Sequence, residues 1–197
     1  MGLAGAVDGG ELQGWTAQPR AAARRAAVLA LRRQQDGRVA DFLSDPDETI
    51  VLEAARAIHD LPLPDQLPRL AALVDTYRGG EPALIRRIVH ANYTLGAAWR
   101  AGAVAGWLVR DPPLPAAMQR EVVSALEDWL APPPRDLVTG EFRRLPDRAE
   151  WKAGMGAALE PALRAISARA DHPLRAEAIR LATRHGVRLD PAYYRRV

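Results

Sequence analysis

The sequence predicts an all-α fold, a right-handed α-solenoid of about four to five helical hairpins, from three observations. A helical pattern recurs along the chain, and its matching alanines, Ala57, Ala91 and Ala125, are each separated by 34 residues. A period of this length is typical of one supersecondary unit stacked on copies of itself. Aromatic residues make up only 6% of the chain, which suits closely packed helices better than sheets. Turns that contain Asp and Pro separate the helical segments.

Four helices are predicted in the first part of the chain, each bounded by residues that start or stop helices. They cover residues 20–35, 39–43, 49–61 and 65–77. Pro19 starts the first helix, and Asp36-Gly37 ends it. The third follows Ser44-Asp-Pro-Asp-Glu48, where Ser and Asp can accept hydrogen bonds from free backbone N–H groups. The prolines of Leu61-Pro-Leu-Pro64 stop it, and Asp65 caps the fourth.

Five further helices are predicted in the rest of the chain. They cover residues 82–95, 97–109, 115–130, 149–169 and 173–185. Gly96 ends the first of these, and Asp111-Pro-Pro113 bounds the second. A connection of about 18 residues, 131–148, follows the third; it is long for a compact helical domain, and such loops are usually functional or ordered by packing. We expect the tail, with Tyr193 and Tyr194, to dock on the last repeat.

The sequence predicts one domain preceded by a short segment. Residues 1–18, rich in Gly and Ala, are expected to be a flexible lead-in or a partial repeat. Residues 19–197 are expected to form a single solenoid domain with the long inter-helix loop at 131–148. Asn92 stands at an otherwise apolar helix position, so we expect a buried side chain bonded to the backbone of a neighbouring element. Pro132–Pro134 fits a helix stop leading into an extended loop, although it could also be a polyproline ligand.

Composition and charge exclude several classes of protein. The chain has no cysteine, hence no disulfide framework and no cysteine nucleophile, and it has no apolar stretch long enough to span a membrane. Residues 1–8 do not fit a signal peptide. The net charge is only +3 and acids alternate with arginines, which argues against a nucleic-acid footprint. His59 and His90 lack the spacing of metal ligands, so we expect no metal. We also expect no cofactor and no catalytic residue.

The repeated unit consists of a helix, a tight turn containing Asp and Pro, and a second helix carrying Arg or Glu, two alanines and Leu. The segment Ser44–Ile58, Ser-Asp-Pro-Asp-Glu-Thr-Ile-Val-Leu-Glu-Ala-Ala-Arg-Ala-Ile, shows this pattern most clearly. In this respect the chain resembles HEAT-repeat proteins. The resemblance implies an armadillo-like helical scaffold for protein–protein interaction, and it indicates no ligand.

One polar face is common to the second helices of the repeats. Counted from the aligned alanine, the positions four before, one before and three after it share one side of the helix and are polar in each copy. The members of this face that we predict to bind a partner are Glu53, Arg56, Asp60, Arg87, His90, Glu121, Asp128, Arg180 and Arg184. Such columns are expected on the concave side of a solenoid, where partners commonly bind. Alternatively, they are the solvated face that any amphipathic helix needs.

A narrower resemblance depends on several stretches taken together. These are residues 38–47, 51–59, 86–96, 132–140 and 144–146, of which Pro132-Pro-Pro-Arg-Asp-Leu-Val-Thr-Gly140 is the most specific. They resemble the helical-repeat module of PVC-type haem-binding, sugar-dehydrogenase-like multidomain proteins. The resemblance implies a periplasmic or exported accessory module of a larger redox protein, which positions two catalytic domains. No catalytic or haem-ligand residue is carried over, because a chain without cysteine has no C-x-x-C-H motif.

The sequence therefore predicts a non-enzymatic scaffold that binds a protein, or flanking domains of the same polypeptide, through the polar columns and the 131–148 loop. The alternative is a nucleic-acid-binding module similar to the HEAT-like DNA glycosylases, which place a tryptophan and a carboxylate on a concave face. Trp107 and Asp111, at i and i+4, are the candidates, although they also fit a core residue and a turn residue. A lyase-type helical-repeat protein acting on a tetrapyrrole is a third possibility, without a supporting motif.

Overall fold

The computed structural model describes residues 14–194, which form ten α-helices, four short 3-10 helices and no β-strand. The predicted all-α class is confirmed. The described chain divides into two compact units, with the boundary between Leu70 and Ala71. Most of the predicted lead-in, residues 1–13, lies outside the described residues. The solenoid arrangement and the number of hairpins stay predictions.

The described part of the first unit contains two long α-helices joined by a 3-10 helix, and it ends within the short helix Leu67–Ala71. The elements are α1 (Ala21–Gln34), a 3-10 helix (Gly37–Ser44), α2 (Glu48–His59) and a second 3-10 helix (Pro64–Gln66). The predicted start signal acts through Asp47, whose side chain accepts a hydrogen bond of 2.9 Å from the backbone N–H of Thr49. Helix α1 and the first 3-10 helix both pack against α2.

A small apolar core and one ion pair hold the first unit together. The fully buried apolar side chains include Val28, Val39, Phe42, Ile50, Ala54 and Ile58. The guanidinium of Arg24 on α1 donates to both carboxylate oxygens of Asp45, at 2.7 and 3.1 Å. Both side chains are nearly buried, so this bidentate pair fixes the start of α1 against the turn that precedes α2.

The single helix predicted at 65–77 is instead interrupted. Helix α3 covers Leu67–Ala71 and α4 only Leu73–Thr76, with Ala72 between them. The Asn92 side chain donates to the Ala71 carbonyl at 2.8 Å, and the N–H of Asp75 bonds the carbonyl of Ala72, three residues back. The expectation that Asn92 is buried and bonded to backbone is confirmed. Its bond to Ala71 takes up a carbonyl that an uninterrupted helix would use.

Six α-helices follow in the second unit. They are α5 (Pro82–Leu95), α6 (Ala98–Gly106), α7 (Ala116–Glu127), α8 (Lys152–Ala168), α9 (Arg175–Arg184) and α10 (Pro191–Tyr194). Two 3-10 helices lie beside them, at Trp107–Val109 and Ala149–Trp151. Helices α2, α5 and α7 begin at Glu48, Pro82 and Ala116, so their starts repeat every 34 residues. The prediction that the three repeated segments are helices is confirmed.

The core of the second unit lies between helices that are close to one another in chain order. Helix α5 packs against α7, while α8 packs against both α6 and α9. The fully buried side chains include Leu84, Ile88, Val104, Leu126, Met155, Leu159 and Leu163. The aligned alanines Ala91 and Ala125 are buried as the repeat predicts, and so is Ala57 in the first unit. At the end of the described chain, Arg175 donates to the carbonyl of Tyr193 at 3.0 Å, which docks the tail.

Candidate functional site

Two of the three predicted partner-binding residues of the first unit, Glu53 and Arg56, pair with each other. Arg56 Nη1 lies 2.5 Å from Glu53 Oε1, and Arg32 on α1 lies 3.3 Å from the other Glu53 oxygen. Asp60 follows the end of α2, with a carboxylate oxygen 3.4 Å from His59 Nδ1. Thus Glu53 and Arg56 lie together, and the carboxylate of Glu53 is engaged on two sides.

In the second unit, His90 and Glu121 come together. His90 Nε2 on α5 lies 3.1 Å from Glu121 Oε1 on α7. Arg86, which was not among the predicted residues, donates to both oxygens of Glu121 at 2.6 and 2.7 Å. Burial alone would raise the pKa of Glu121, but the hydrogen bonds from His90 and Arg86 outweigh it and hold that pKa below its usual value. This cluster joins two successive copies of the repeat.

The remaining predicted residues of the second unit are dispersed. Arg87 donates to the Ala83 carbonyl at 2.9 Å, within its own helix. Asp128 follows α7, and its backbone carbonyl accepts a hydrogen bond from the Tyr93 hydroxyl at 3.1 Å. Arg180 and Arg184 lie exposed on α9, and in the described part of the chain neither of them pairs with another predicted site residue.

The 131–148 loop covers part of the polar face on which His90 lies. Pro133, Leu137 and Leu145 of the loop line a closed space with His90 and Tyr93 on α5. The volume of that space is about 10 Å³, room for one water molecule at most. His90 is therefore buried beneath the chain's own loop, and this part of the predicted concave surface is occupied internally.

Arg148 anchors the end of the loop. Its side chain is fully buried, and its guanidinium donates to the carbonyls of Tyr93, Thr94 and Trp129. The first two carbonyls belong to the last turn of α5, and the third lies just beyond the end of α7. The unpaired carbonyls at helix C-termini carry partial negative charge, so a cation there is favourable. Burial lowers the pKa of Arg148.

Aromatic rings surround this buried cation. The guanidinium lies 4.7 Å from the centroid of the Tyr93 ring and 5.3 Å from that of Trp151, distances typical of cation–π contacts. The ring of Trp129 meets that of Tyr93 edge to face at 5.4 Å. Burial raises the pKa of Tyr93 to about 12, so its hydroxyl stays a donor at neutral pH. Backbone carbonyls and aromatic rings thus surround the Arg148 guanidinium.

The tip of the loop is a tight turn organised by Asp136. The carboxylate of Asp136 accepts hydrogen bonds from the N–H groups of Val138 and Thr139, at 2.9 and 2.8 Å, and from Arg143 at 2.8 Å. The backbone of Asp136 also bonds to Glu141 and Gly140, both at 2.8 Å. Gly140 has a φ of 75°, a conformation that glycine adopts without strain. The Asp-Leu-Val-Thr-Gly stretch therefore has a structural role, because its Asp and Gly build the turn.

Two apolar side chains of this turn are exposed, Phe142 for most of its surface and Leu137, which also faces His90 and Tyr93, for less than half. Phe142 is 72% exposed and Leu137 is 44% exposed. The backbones of Arg135 and Phe142 pair as an isolated antiparallel bridge, and the Arg135 side chain donates to the Gly140 carbonyl at 3.0 Å. The apolar tip is thus held in one conformation by the residues around it. We refer to residues 135–143 as the tip.

Sequence reasoning missed Arg86, Arg148 and the exposed tip. Arg86 could have been found, because it lies 35 residues before Glu121, one repeat period plus one residue. Arg148 gave no signal, since the neighbouring Arg143 and Arg144 look the same in sequence. The length of the 131–148 connection did indicate its importance, but which of its side chains are exposed depends on tertiary packing.

Trp107 and Asp111, the candidates for the glycosylase-type alternative, differ in exposure: the first is buried and the second is exposed. Trp107 is buried, and its indole N–H donates to the Val74 carbonyl at 2.6 Å, while Tyr77 and Arg110 pack on its ring. Asp111 is exposed in the turn that precedes Pro112. Trp107 therefore offers no free face on which a base could stack, and it serves as a core residue.

Among residues 14–194, no three His, Cys, Asp or Glu side chains come close enough together to hold a metal ion. No helix in the described part of the chain is both long enough and apolar enough to cross a membrane. No protein-family model matches this sequence, and comparison with curated proteins and with solved structures gave no match.

Proposed function

We propose that this protein is a non-enzymatic helical-repeat scaffold that binds a protein or a flanking domain through the tip of its 131–148 loop. The observation that carries the proposal is the exposure of Phe142 and Leu137 on a turn fixed by Asp136. Aromatic side chains are enriched at protein interfaces. A partner protein can bury an exposed aromatic side chain that an ordered turn presents.

Order in the loop favours binding because little freedom remains to be lost. Immobilising one flexible side chain on association costs about 0.5–1.5 kcal/mol, and ordering a whole loop would add to this. Here Asp136 and Arg143 hold the tip, while Arg148 holds the end of the loop. A partner would need to immobilise only the exposed side chains at the tip.

The polar columns are expected to contribute less than the loop. The carboxylates of Glu53 and Glu121 are already paired with Arg56 and with Arg86, so a partner would have to break existing ion pairs to use them. Arg180 and Arg184 are exposed on α9, so the predicted columns can contribute through these two residues.

The resemblance to the PVC-type proteins suggests a setting for such a scaffold. The stretch that carries the resemblance most specifically, residues 132–140, includes most of the exposed turn. We accordingly propose an accessory module, periplasmic or exported, that contacts a neighbouring domain of a larger redox protein through the tip.

The test compares proteins captured by immobilised wild-type chain with those captured by a Leu137→Ser/Phe142→Ser double variant. A matched control is Val109→Ser, because Val109 is 44% exposed, as Leu137 is, and lies in the same unit but outside the loop. We expect the control to retain a protein that the double variant loses. That protein, purified, should then bind the wild type in calorimetry with at least about tenfold higher affinity than the double variant. Equal affinities would overturn the proposal.

A further inference from the structure

Two adjoining grooves open beside the 131–148 loop. The first has a volume of about 850 Å³ and is walled by Pro132 and Pro134 from one arm of the loop and by Leu145 and Pro146 from the other. The second, of about 550 Å³, lies between the start of α8 and the end of α9. Leu130 lines both grooves, so they lie next to each other.

The side chains around these grooves carry an excess of positive charge. Arg144 lines the first groove, and Lys152 and Arg184 line the second. Across residues 14–194, none of these three cations forms an ion pair or a hydrogen bond. Asp147 is the one carboxylate in the described lining, and it is engaged as an acceptor for the N–H of Ala149 at 2.9 Å.

The position of Lys152 strengthens the preference for an anion. Lys152 is the first residue of α8, which continues directly from the 3-10 helix Ala149–Trp151, and its backbone N–H already bonds the Ala149 carbonyl. Its side chain lines the second groove beside Arg184, and the described lining of that groove holds no carboxylate. Lys152 and Arg184 together form a site where two unpaired cations would stabilise an added carboxylate.

We propose that the two grooves together bind an extended acidic peptide segment, with an apolar side chain against Leu130 and carboxylates facing Arg144, Lys152 and Arg184. This inference rests on the proposed function, since it specifies which part of a protein partner the scaffold holds. The apolar walls and the separated cations fit a chain in which acidic and apolar side chains alternate, as they do on the two sides of an extended strand.

A peptide fits these grooves better than a single-stranded nucleic acid. No Trp, Tyr or Phe lines either groove in the described structure, so unpaired bases would find no aromatic ring on which to stack. Proline at three wall positions also removes backbone N–H groups that could bind phosphate. The grooves offer apolar contact and charge, which an acidic peptide can use.

The direct test is fluorescence anisotropy with a short labelled peptide of alternating acidic residues and leucines. The comparison ligands are the same peptide with Asn and Gln in place of the acids, and an oligothymidylate of similar length. The test variant is Lys152→Glu/Arg184→Glu, and the control is Arg120→Glu, an exposed arginine on α7 that lines neither groove. Far-UV circular dichroism of each variant checks that the helices persist.

Lys152 permits a second readout, because it is the only lysine in the chain. Acetylation by an amine-reactive reagent, followed by mass spectrometry, reports directly on whether a ligand covers this side chain. The acidic peptide should slow modification of Lys152, and the Asn/Gln peptide should leave its rate unchanged. The α-amino group provides an internal reference in the same spectrum.

We expect the acidic peptide to bind wild type and the Arg120→Glu control alike, and to bind the double variant at least about tenfold more weakly. Tighter binding of the oligothymidylate, or equal binding of the Asn/Gln peptide, would overturn the inference. Absence of peptide binding would also overturn the groove inference. The proposed scaffold function would still be supported if the Leu137→Ser/Phe142→Ser variant lost a captured protein. Conversely, peptide binding that the tip variant retains supports the grooves independently.

Discussion

At the scale of single residues, Arg148 links the end of the long loop to the ends of two helices. Its guanidinium donates to carbonyls from α5 and from the segment after α7, and the rings of Tyr93 and Trp151 enclose it. Arginine stays protonated at neutral pH even when burial lowers its pKa. Carbonyl dipoles and aromatic rings therefore compensate the buried charge, and no carboxylate from residues 14–194 pairs with it.

Replacing Arg148 by alanine should lower the free energy of unfolding by about 3 kcal/mol, because it leaves buried carbonyls without a donor. The measurement is urea denaturation followed by tryptophan fluorescence, to which the nearby Trp129 and Trp151 contribute. Arg144→Ala is the control, since that arginine is exposed, and it should change stability by less than about 0.5 kcal/mol. Equal effects of the two substitutions would contradict the anchoring role.

Gly96 is the second residue on which local structure depends. It has a φ of 73°, and a Cβ at this position would lie 1.9 Å from the ring of Trp151. Gly96→Ala should therefore destabilise the protein by at least about 2 kcal/mol, through backbone strain and displacement of the ring. Gly106→Ala is the matched control. Beyond its chain neighbours and its own helix backbone, a Cβ there would meet no atom of the described residues within 4 Å, so stability should stay equal or rise by up to about 1 kcal/mol. Differential scanning calorimetry of both variants decides the point.

At the scale of elements, the cluster of Arg86, His90 and Glu121 joins α5 to α7. The contact is made between successive copies of the repeat, and a second one accompanies it, from the Tyr93 hydroxyl to the Asp128 carbonyl. Helices that share a hydrophobic face can slide against each other, whereas a bidentate ion pair specifies one register. We infer that this cluster sets the alignment of the two helices.

The cluster predicts a pH dependence of stability. The pKa of Glu121 lies below its ordinary value of 4.5, so its contribution is present above that value and is lost as the pH falls through the lowered pKa. At pH 7, Glu121→Gln should be less stable than wild type by about 2 kcal/mol, and the difference should shrink below pH 4.5. Urea denaturation over a pH series measures this difference.

The control for this experiment is Glu127→Gln on the same helix, since Glu127 makes no ion pair within the described residues. Its effect on stability should stay below about 0.5 kcal/mol at every pH. A Glu121→Gln difference that remained constant down to about pH 3 would show that the carboxylate charge is not what stabilises the contact.

The predictability of each element follows from how local its cause is. The start of α2 was predicted because Asp47 caps it from one residue away, and Pro82 likewise marks the start of α5. The interruption at Ala72 was missed, because it coincides with a bond from Asn92, which lies far along the chain. The same holds in the candidate site, where loop length was visible in the sequence but the anchoring by Arg148 is a tertiary contact.

At the scale of the whole molecule, charge is the property that separates the scaffold from its nucleic-acid alternative. The net charge is +3, and many arginines are neutralised within the structure by carboxylates, as Arg24, Arg56 and Arg86 are. A protein that binds many phosphates needs its basic residues free and aligned. The unpaired cations beside the grooves form a small patch rather than a long stripe.

Binding to duplex and single-stranded DNA should therefore be no tighter than about 10 μM at about 50 mM salt. Fluorescence anisotropy at about 50 and about 200 mM salt measures both the affinity and its dependence on salt. Tight binding that weakens by orders of magnitude between these concentrations would contradict the scaffold proposal. The Lys152→Glu/Arg184→Glu variant would then show whether the grooves hold the phosphates.

Because of the position of Arg148, the thermal stability of the protein should report whether a ligand is bound to the loop. Arg148 bonds the end of the loop to carbonyls at the ends of two helices, so releasing the loop would leave those buried carbonyls without a donor. The loop and the helices should therefore unfold together. A ligand that grips the loop must then raise the unfolding temperature of those helices by mass action, adding about 2.7 kcal/mol at a hundredfold excess over its Kd. Unidentified partners can thus be screened by thermal shift, without labels.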